Sequence, residues 1–468
     1  SKWSKKIERV INSFLKKIDT DNLMNSIIYK DDNKIDQIKN IFKYSNLVFL
    51  QGGPGTGKTT LIIKLILELL QIDNFLNIGL SAPTGKATAR LKEALNDKKN
   101  ISFSKFLDQI EFQTLHRWIL NSQNKSLKLK FKLKELDIFI IDEMSMVNID
   151  LIESVLNLLA KDCKIILVGD KNQLSPVNNC SIWNYLFEYS DNSSIKSCVV
   201  NLEKTYRNIG DIALISSLIF NNDFSLLNQK IKELEKDNNS KEITISKSRE
   251  KDIPKDLLFS ITSHLKQLNI STSNLSKKKY IFDESIDNLL LNEKDLVDKI
   301  FLDLQSHLIL CEKNSGIWSV EYLNEIVFGQ KKPYDLKTLK EGVPIMCTKN
   351  NNELGLSNGD IGVLIGLKNK RKYLFRKFND NNEEIVALID PSNLENVVPA
   401  IAITIHKSQG SESEKVNILW SQNYRRNQYA VKEKKDNQNI FCRDNFERRL
   451  FYTAVTRAKK FLDIYYLN

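Results

Sequence analysis

The stretch Asn46-Leu-Val-Phe-Leu-Gln-Gly-Gly-Pro-Gly-Thr-Gly-Lys-Thr-Thr60 runs directly into Leu61-Ile-Ile-Lys-Leu-Ile-Leu-Glu-Leu-Leu70. An unbroken apolar run, a glycine-rich turn, and an apolar pattern interrupted only by Lys64 and Glu68 predict strand, loop and helix in that order. Gly52 to Thr59 fits G-x-x-x-x-G-K-[ST]. The glycines let backbone N–H groups wrap phosphates, and the helix N-terminus adds positive potential. Lys58 is placed to bridge the β- and γ-phosphates, and Thr59 to ligate Mg²⁺. The candidate nucleotide-binding set is Gly52, Gly53, Pro54, Gly55, Thr56, Gly57, Lys58, Thr59 and Thr60, with ATP and Mg²⁺ as the implied cofactors.

Further short buried strands are predicted at Asn77–Ser81, Asp137–Ile141 and Lys164–Gly169, with helical stretches between them. That alternation implies an α/β fold with a parallel sheet, whose ligands bind where the strands end. Phe139-Ile-Ile-Asp-Glu143 closes one such strand with two adjacent carboxylates. In a phosphate-binding sheet Asp142 suits the metal, and Glu143 orients or deprotonates the attacking water. The second acid favours an ATP-hydrolysing motor over a small signalling GTPase. After the next strand, in Gly169-Asp-Lys-Asn-Gln-Leu174, Gln173 reads either as a γ-phosphate sensor or as part of an ordinary β-turn.

The segment Leu127-Lys-Leu-Lys-Phe-Lys-Leu-Lys134 alternates strictly and predicts a half-buried strand. Its lysines would either protect an edge strand or face nucleic acid. Residues 221 to 302 read as helices and exposed loops. A second α/β block resumes at Ser306–Cys311 and Trp318–Ile326. Between about Gly342 and Pro399, short strands at Val343–Cys347, Asn358–Leu364, Lys372–Phe378 and Glu384–Leu388 predict an inserted β-barrel.

The chain has 468 residues, which at roughly 100–200 residues per domain predicts about two to four domains. With 41% hydrophobic and 27% charged residues the composition is that of a folded protein, so global disorder is excluded. No apolar run approaches the roughly 18 residues of a membrane span, and Trp3, Ile7, Val10, Ile11, Phe14 and Leu15 fall at amphipathic-helix spacing. Cys163, Cys180, Cys198, Cys311, Cys347 and Cys442 are scattered without zinc spacing, which fits a reducing cytoplasm better than a disulfide framework. Lys+Arg exceed Asp+Glu by 69 to 58, a formal net charge of +11 that suits a polyanionic partner. Arg425–Lys460 holds eleven basic residues against four acidic ones.

In chain order come Gly52–Thr60, Ala82-Pro-Thr-Gly-Lys-Ala-Thr-Ala-Arg-Leu91, Thr114-Leu-His-Arg117, Ile141-Asp-Glu-Met-Ser145 and Gly169–Leu174. Lys204-Thr-Tyr-Arg207, Asn358-Gly-Asp-Ile-Gly362, Thr404-Ile-His-Lys-Ser-Gln-Gly-Ser-Glu412 and Tyr452-Thr-Ala-Val-Thr-Arg-Ala458 complete the set. This ordered set resembles the superfamily 1 helicases. Within them it is most similar to the RecD family, the alpha subunits of bacterial RecBCD enzymes (exonuclease V), over roughly residues 35–465.

The resemblance implies a superfamily 1B, 5′→3′ DNA helicase built from two RecA-like P-loop NTPase domains that clamp ATP and walk along single-stranded DNA. A small β-hairpin insertion would lie in the first domain and a small SH3-like β-barrel in the second. The expected layout is a helical remnant at 1–35, motor domain 1 at 36–200 with its insertion at about 95–135, and motor domain 2 at 201–468 with the barrel at about 342–399. Residue by residue, the resemblance makes Gln37 an adenine reader and gives Arg207 and Arg457 to the γ-phosphate. It has Gln409 couple nucleotide to DNA movement. Pro83, Thr84, Lys86, Thr114, His116, Thr404 and His406 would line the DNA groove. The catalytic set is then Lys58, Glu143, Gln173, Arg207 and Arg457. Arginines at the γ-phosphate make sense physically, since the transition state gathers charge on its equatorial oxygens.

Trp118 reads as a base-stacking ring or as core. Neither His116 nor His406 has a carboxylate or Cys at metal-ligand spacing, so contact with DNA phosphate or sugar is the expectation. Partners implied are DNA duplex ends and a heterotrimer with RecB-like and RecC-like subunits, in the cytoplasm. No nuclease constellation is present. The stretch Asn423–Arg449 is longer and more basic than the family pattern and reads as a mobile surface loop. The alternatives are a stand-alone RecD-like helicase, a non-catalytic scaffold, and an RNA-processing ATPase of the same superfamily. Intact Lys58, Thr59, Asp142, Glu143, Arg207 and Arg457 argue against the scaffold.

Overall fold

The computed structural model describes residues 11, 33–96, 106, 108–123, 130–175, 183, 186–187, 193–203, 210–236, 242–248, 252–278, 293–351, 353–366, 370–378, 384–421, 441–442 and 444–467. The chain divides into two units, Ser1–Arg207 and Asn208–Asn468.

In the first unit, helix α1 (Lys34–Tyr44) is capped by Asn33, whose side chain accepts the N–H of Ile35. It leads into strand β1 (Leu47–Gly52), the phosphate-loop helix α2 (Lys58–Ile72), β2 (Ile78–Ala82), α3 (Gly85–Asn96), β3 (Ile110–Thr114) and α4 (Leu115–Gln123). Then follow β4 (Ile138–Ile141), α5 (Ile149–Leu156), β5 (Lys164–Gly169) and β6 (Val199–Leu202). The strands form one sheet in the order β3-β2-β4-β5-β1-β6, every neighbouring pair parallel. Every residue of β1, β2 and β4 is buried, the pattern of a sheet covered by helices on both faces.

The predicted lysine-faced strand fails where it can be seen. Residues 130–134 form no strand, and Leu133–Glu135 is a 3-10 turn closed by the N–H of Glu135 on the Lys132 carbonyl at 2.9 Å. Its buried residues are Leu133 and Leu136, a spacing of three rather than two. Local hydrogen bonding overrode the alternation: Oε2 of Glu135 accepts the N–H of Lys132 at 3.0 Å, and Lys130 pairs with Asp108 at 3.1 Å. Among the described residues of 95–135 there is no hairpin, and the one strand, β3, is an edge of the parallel sheet. Of the predicted N-terminal helix only Ile11, helical and buried, is among the described residues.

The second unit opens with α6 (Asp211–Phe220), α7 (Phe224–Lys236), β7 (Ile243–Ser248), α8 (Lys255–Ser276), α9 (Lys294–Ser306), β8 (His307–Cys311) and α10 (Val320–Phe328). Five strands follow, β9 (Pro344–Cys347), β10 (Ile361–Ile365), β11 (Lys372–Phe378), β12 (Glu384–Ile389) and β13 (Val397–Pro399). The chain then returns through β14 (Ile403–Thr404), β15 (Ser413–Trp420), α11 (Asn445–Val455) and β16 (Ala458–Leu467). The main sheet, β14-β8-β15-β16-β7, is again wholly parallel.

The insertion is a separate antiparallel sheet, β12-β11-β10-β9-β13, with β12 and β13 on its two edges. One face packs its own loops around Ile345, Tyr373, Phe375 and Ile389. The other presses Val363, Ile365, Leu374 and Val386 onto Leu275 of α8 and onto Val297, Ile300 and Phe301 of α9.

The stretch Asn423–Arg449 is not surface loop throughout. Phe441 is buried and stacks on Phe451 with ring centroids 4.4 Å apart, and Asp444 caps α11 by accepting the N–H of Glu447 at 2.8 Å. Residues 422–440 and 443 lie outside the described residues. No described helix is long and apolar enough to cross a membrane.

Candidate active site

Parallel strands end on one edge of the first sheet, and Lys58, Thr59, Thr84, Thr114, Asp142, Glu143 and Gln173 stand there because the sequence places each at or just beyond the end of a strand. After β1, Gly55 and Gly57 take left-handed backbone angles, φ 75° and 82°, which a side chain would strain. Gly57 is the N-cap of α2 and offers no side-chain hydrogen bond, so the first N–H groups of the helix have no side-chain acceptor and can receive an anion. Lys58 folds back over the turn, its Nζ donating to the Gly52 carbonyl at 2.7 Å and to that of Gly53 at 2.8 Å. Thr56 is buried and donates its hydroxyl to the Gly53 carbonyl at 2.8 Å. Pro54 and Thr59 are half-buried and Thr60 is exposed.

Beyond β4, the N–H of Asp142 bonds the Ser81 carbonyl at 2.9 Å, and Glu143 follows in a left-handed conformation at φ 55°. Such a backbone in a residue with a side chain costs on the order of 1 kcal/mol and is a mark of functional sites. Burial first, and then the Glu143 carboxylate, raise Asp142 from the ordinary 3.8 to about 6, while Lys58 pulls the other way. A carboxylate so short of positive charge fits a site for a divalent cation.

Beyond β5, Asp170 closes a tight turn, its Oδ1 accepting the N–H of Asn172 at 2.9 Å and its carbonyl that of Gln173 at 3.2 Å. Gln173 is 4% exposed, and its Oε1 has no hydrogen-bond partner among the described residues. A buried acceptor left open in this way is available to a ligand's donor.

Sequence reasoning missed Gln51, the last residue before the glycine turn. It is 3% exposed, and its Oε1 accepts Nε1–H of Trp183 at 2.7 Å and the backbone N–H of Lys171 at 3.2 Å. The available signal was an amide closing an otherwise apolar buried strand.

On the same edge, β2 pairs with β3 so that Ala82 lies beside Thr114. Pro83 and Thr84 are half-buried, and Oγ1 of Thr84 accepts the N–H of Ala87 at 3.3 Å. Oγ1 of Thr114 accepts the N–H of Arg117 at 3.4 Å, and His116 is exposed. Trp118 is core, with Nε1 on the Leu80 carbonyl at 3.4 Å and its ring edge-on to Phe139. Gln37 sits half-buried in the first turn of α1, which packs on β1 and α2. The Lys86 side chain and Arg207 lie outside the described residues.

In the second unit, Thr404 ends β14 and is buried. The half-buried His406 has its ring 6.0 Å from that of Phe446, and burial lowers its pKa. Gln409 is half-buried, with its N–H on the His406 carbonyl at 3.4 Å. Arg457 is 3% exposed, its guanidinium donating to the carbonyls of Thr453 and Ser411 at 3.0 and 3.1 Å and to Oγ1 of Thr456 at 3.2 Å. The Asn358–Gly362 motif shapes the insertion: a side chain at Gly362 would come within 2.5 Å of the Leu374 carbonyl oxygen.

An AAA domain family profile matches residues 37–179. The chain is similar to the RecBCD enzyme subunit RecD of Buchnera aphidicola subsp. Schizaphis graminum, 31% identical over 95% of this chain and 74% of that protein. It is 28% identical to the RecBCD enzyme subunit RecD of Haemophilus influenzae, over 89% of this chain and 66% of that one. Among solved structures it is similar to Bacteroides Pif1 bound to ssDNA, with TM-score 0.45 and 18% identity over 92% of this chain and 91% of that one. Two thirds or more of the Buchnera relative is matched at over 30% identity. The chain belongs to the RecD family.

Proposed function

We propose that this chain is an ATP-driven DNA helicase that translocates 5′→3′ on single-stranded DNA, as the alpha subunit of a RecBCD-like helicase–nuclease acting in double-strand break repair and recombination. Its partners in this reading are RecB-like and RecC-like subunits and DNA duplex ends. Family membership supports it, and one observation carries the chemistry: Lys58, the Asp142–Glu143 pair and Gln173 stand just beyond strands of one parallel sheet, on a single edge.

In this reading the α2 N-terminus and Lys58 hold the phosphates of ATP, Gln37 reads the adenine, and Gln173 senses the γ-phosphate. Thr59 and Asp142 would hold Mg²⁺, which when bound neutralises phosphate charge and steadies the leaving oxygens. Glu143 orients the attacking water and accepts its proton. Arg207 and Arg457 stabilise the γ-phosphoryl charge and Gln409 relays nucleotide state. Pro83, Thr84, Lys86, Thr114, His116, Thr404 and His406 meet the DNA strand.

The test is strand displacement on 5′-tailed and 3′-tailed duplexes, with the chain alone and with its copurifying partners. Unwinding restricted to the 5′-tailed substrate and strengthened by partners is expected. Unwinding from 3′ tails overturns the polarity, and full activity alone favours a stand-alone helicase. ATP hydrolysis stimulated by RNA rather than DNA redirects the substrate.

A further inference from the structure

We propose that Gln51 is a positioning residue for ATP hydrolysis: its carboxamide holds the Asp170–Leu174 loop, and Gln173 with it, in register with the phosphate-binding loop. This rests on the reading of Gln173 as the γ-phosphate sensor.

Gln51 is the penultimate residue of β1, adjacent to the glycine turn on one side and paired across the sheet with Gly169 on the other. Its backbone therefore already joins the two strands whose loops meet the nucleotide. Its side chain adds a second link further out, from Oε1 to the N–H of Lys171, two residues before Gln173. The same oxygen takes the indole N–H of Trp183. Both partners are donors, so the amide has one allowed orientation; turned over, its NH₂ would face two N–H groups. Nε2 has no partner among the described residues, so the acceptor alone orients the group.

Trp183 is a rigid anchor for that oxygen. It is fully buried and packs against the Phe49 ring at 6.0 Å and the Phe187 ring at 5.1 Å. Its indole covers Gly169, where a side chain would come within 2.9 Å of the ring. Phe49 and Gln51 lie on the same face of β1 by strand alternation, so one face presents a ring and then an amide to Trp183. A buried amide is costly compared with an apolar side chain, and its removal would take this acceptor from the buried Trp183 indole and from the part-buried Lys171 N–H. What it secures is the height of the sensor turn relative to the phosphate turn.

The experiment compares Gln51→Met, Trp183→Phe, the double variant and Gln173→Ala in the full chain. Steady-state ATPase activity and binding of ADP and of ADP–aluminium fluoride are measured. Gln51→Met keeps shape and burial but has no acceptor. It should lower kcat roughly 10- to 100-fold, the scale of a small misplacement, with the KM for ATP nearly unchanged. Its preference for ADP–aluminium fluoride over ADP should fall to that of Gln173→Ala while ADP affinity holds. Trp183→Phe keeps the ring packing and should lose part of that preference, with the double variant no worse than Gln51→Met alone. Should Gln51→Met retain the full preference while Gln173→Ala loses it, the positioning role is overturned and the ATP site stands. Equal loss of affinity for both ligands also overturns it, by showing general disruption. If Gln173→Ala keeps the preference, the sensor reading fails and this inference falls with it.

Discussion

Oδ1 of Asp142 accepts the backbone N–H of Glu143 at 2.8 Å, so the first acid of the pair fixes the left-handed turn that presents the second. One carboxylate thus does local structural work and still carries an unfavourable charge.

That charge predicts an inverted pH response. Asp142 titrates near 6 in the folded chain and near 3.8 when unfolded, so the fold binds this proton more tightly. The resulting stabilisation is complete below about pH 4 and is lost as pH rises through about 6. Asp142→Asn keeps the acceptor without the charge. Without nucleotide it should melt above wild type at pH 7.5, by about 2–4 °C for each kcal/mol recovered, and the gap should close near pH 4. Calorimetry at both pH values checks this, and a lower melting temperature at pH 7.5 would refute it.

Lys58→Gln removes the ammonium that spans the Gly52 and Gly53 carbonyls. DNA-stimulated ATP hydrolysis should fall by about 100-fold or more, as when a charge-stabilising donor is deleted. Binding of fluorescent single-stranded DNA should change little, since Lys58 bonds the carbonyls of the glycine turn and is not among the residues proposed to meet the DNA strand. Full ATPase activity would remove Lys58 from the site.

Arg457→Ala should retain ATP affinity and lose turnover by roughly 10³-fold, the scale of an arginine finger. Its guanidinium is held by Thr453, Ser411 and Thr456, so the variant also tests whether that engagement is only structural. A lowered melting temperature with undiminished kcat would assign Arg457 to the fold.

Gly362→Ala forces a methyl group against the Leu374 backbone and the Phe375 ring. Overpacking of this kind costs about 1–3 kcal/mol. Denaturant unfolding should show that loss in the second unit, with the KM for ATP unaffected. No loss of stability would contradict the close strand approach.

The positions of the glycine turn, the acid pair and the Asp170–Leu174 turn were legible because each follows a strand whose apolar run is unmistakable. Strand β11 was legible to the residue, Lys372–Phe378, and β9 and β12 to within one. Edge strand β7 was not, because Ile243-Thr-Ile-Ser-Lys-Ser248 has two apolar residues in a polar stretch and is set by its pairing with β16. The 3-10 turn at Leu133–Glu135 was hidden by an alternation that side-chain bonds from Glu135 overrode. Gln51 was invisible because its meaning lies in Trp183, 132 positions away.

The inserted sheet is sealed at its base by Val363, Ile365, Leu374 and Val386, which pack onto α8 and α9. A tilt of those two helices would carry the sheet with it, and a load on its far loops would press back on them. Such a sheet would act as a lever arm on α8 and α9, so a force on its loops would register as torque within the unit that bears Arg457.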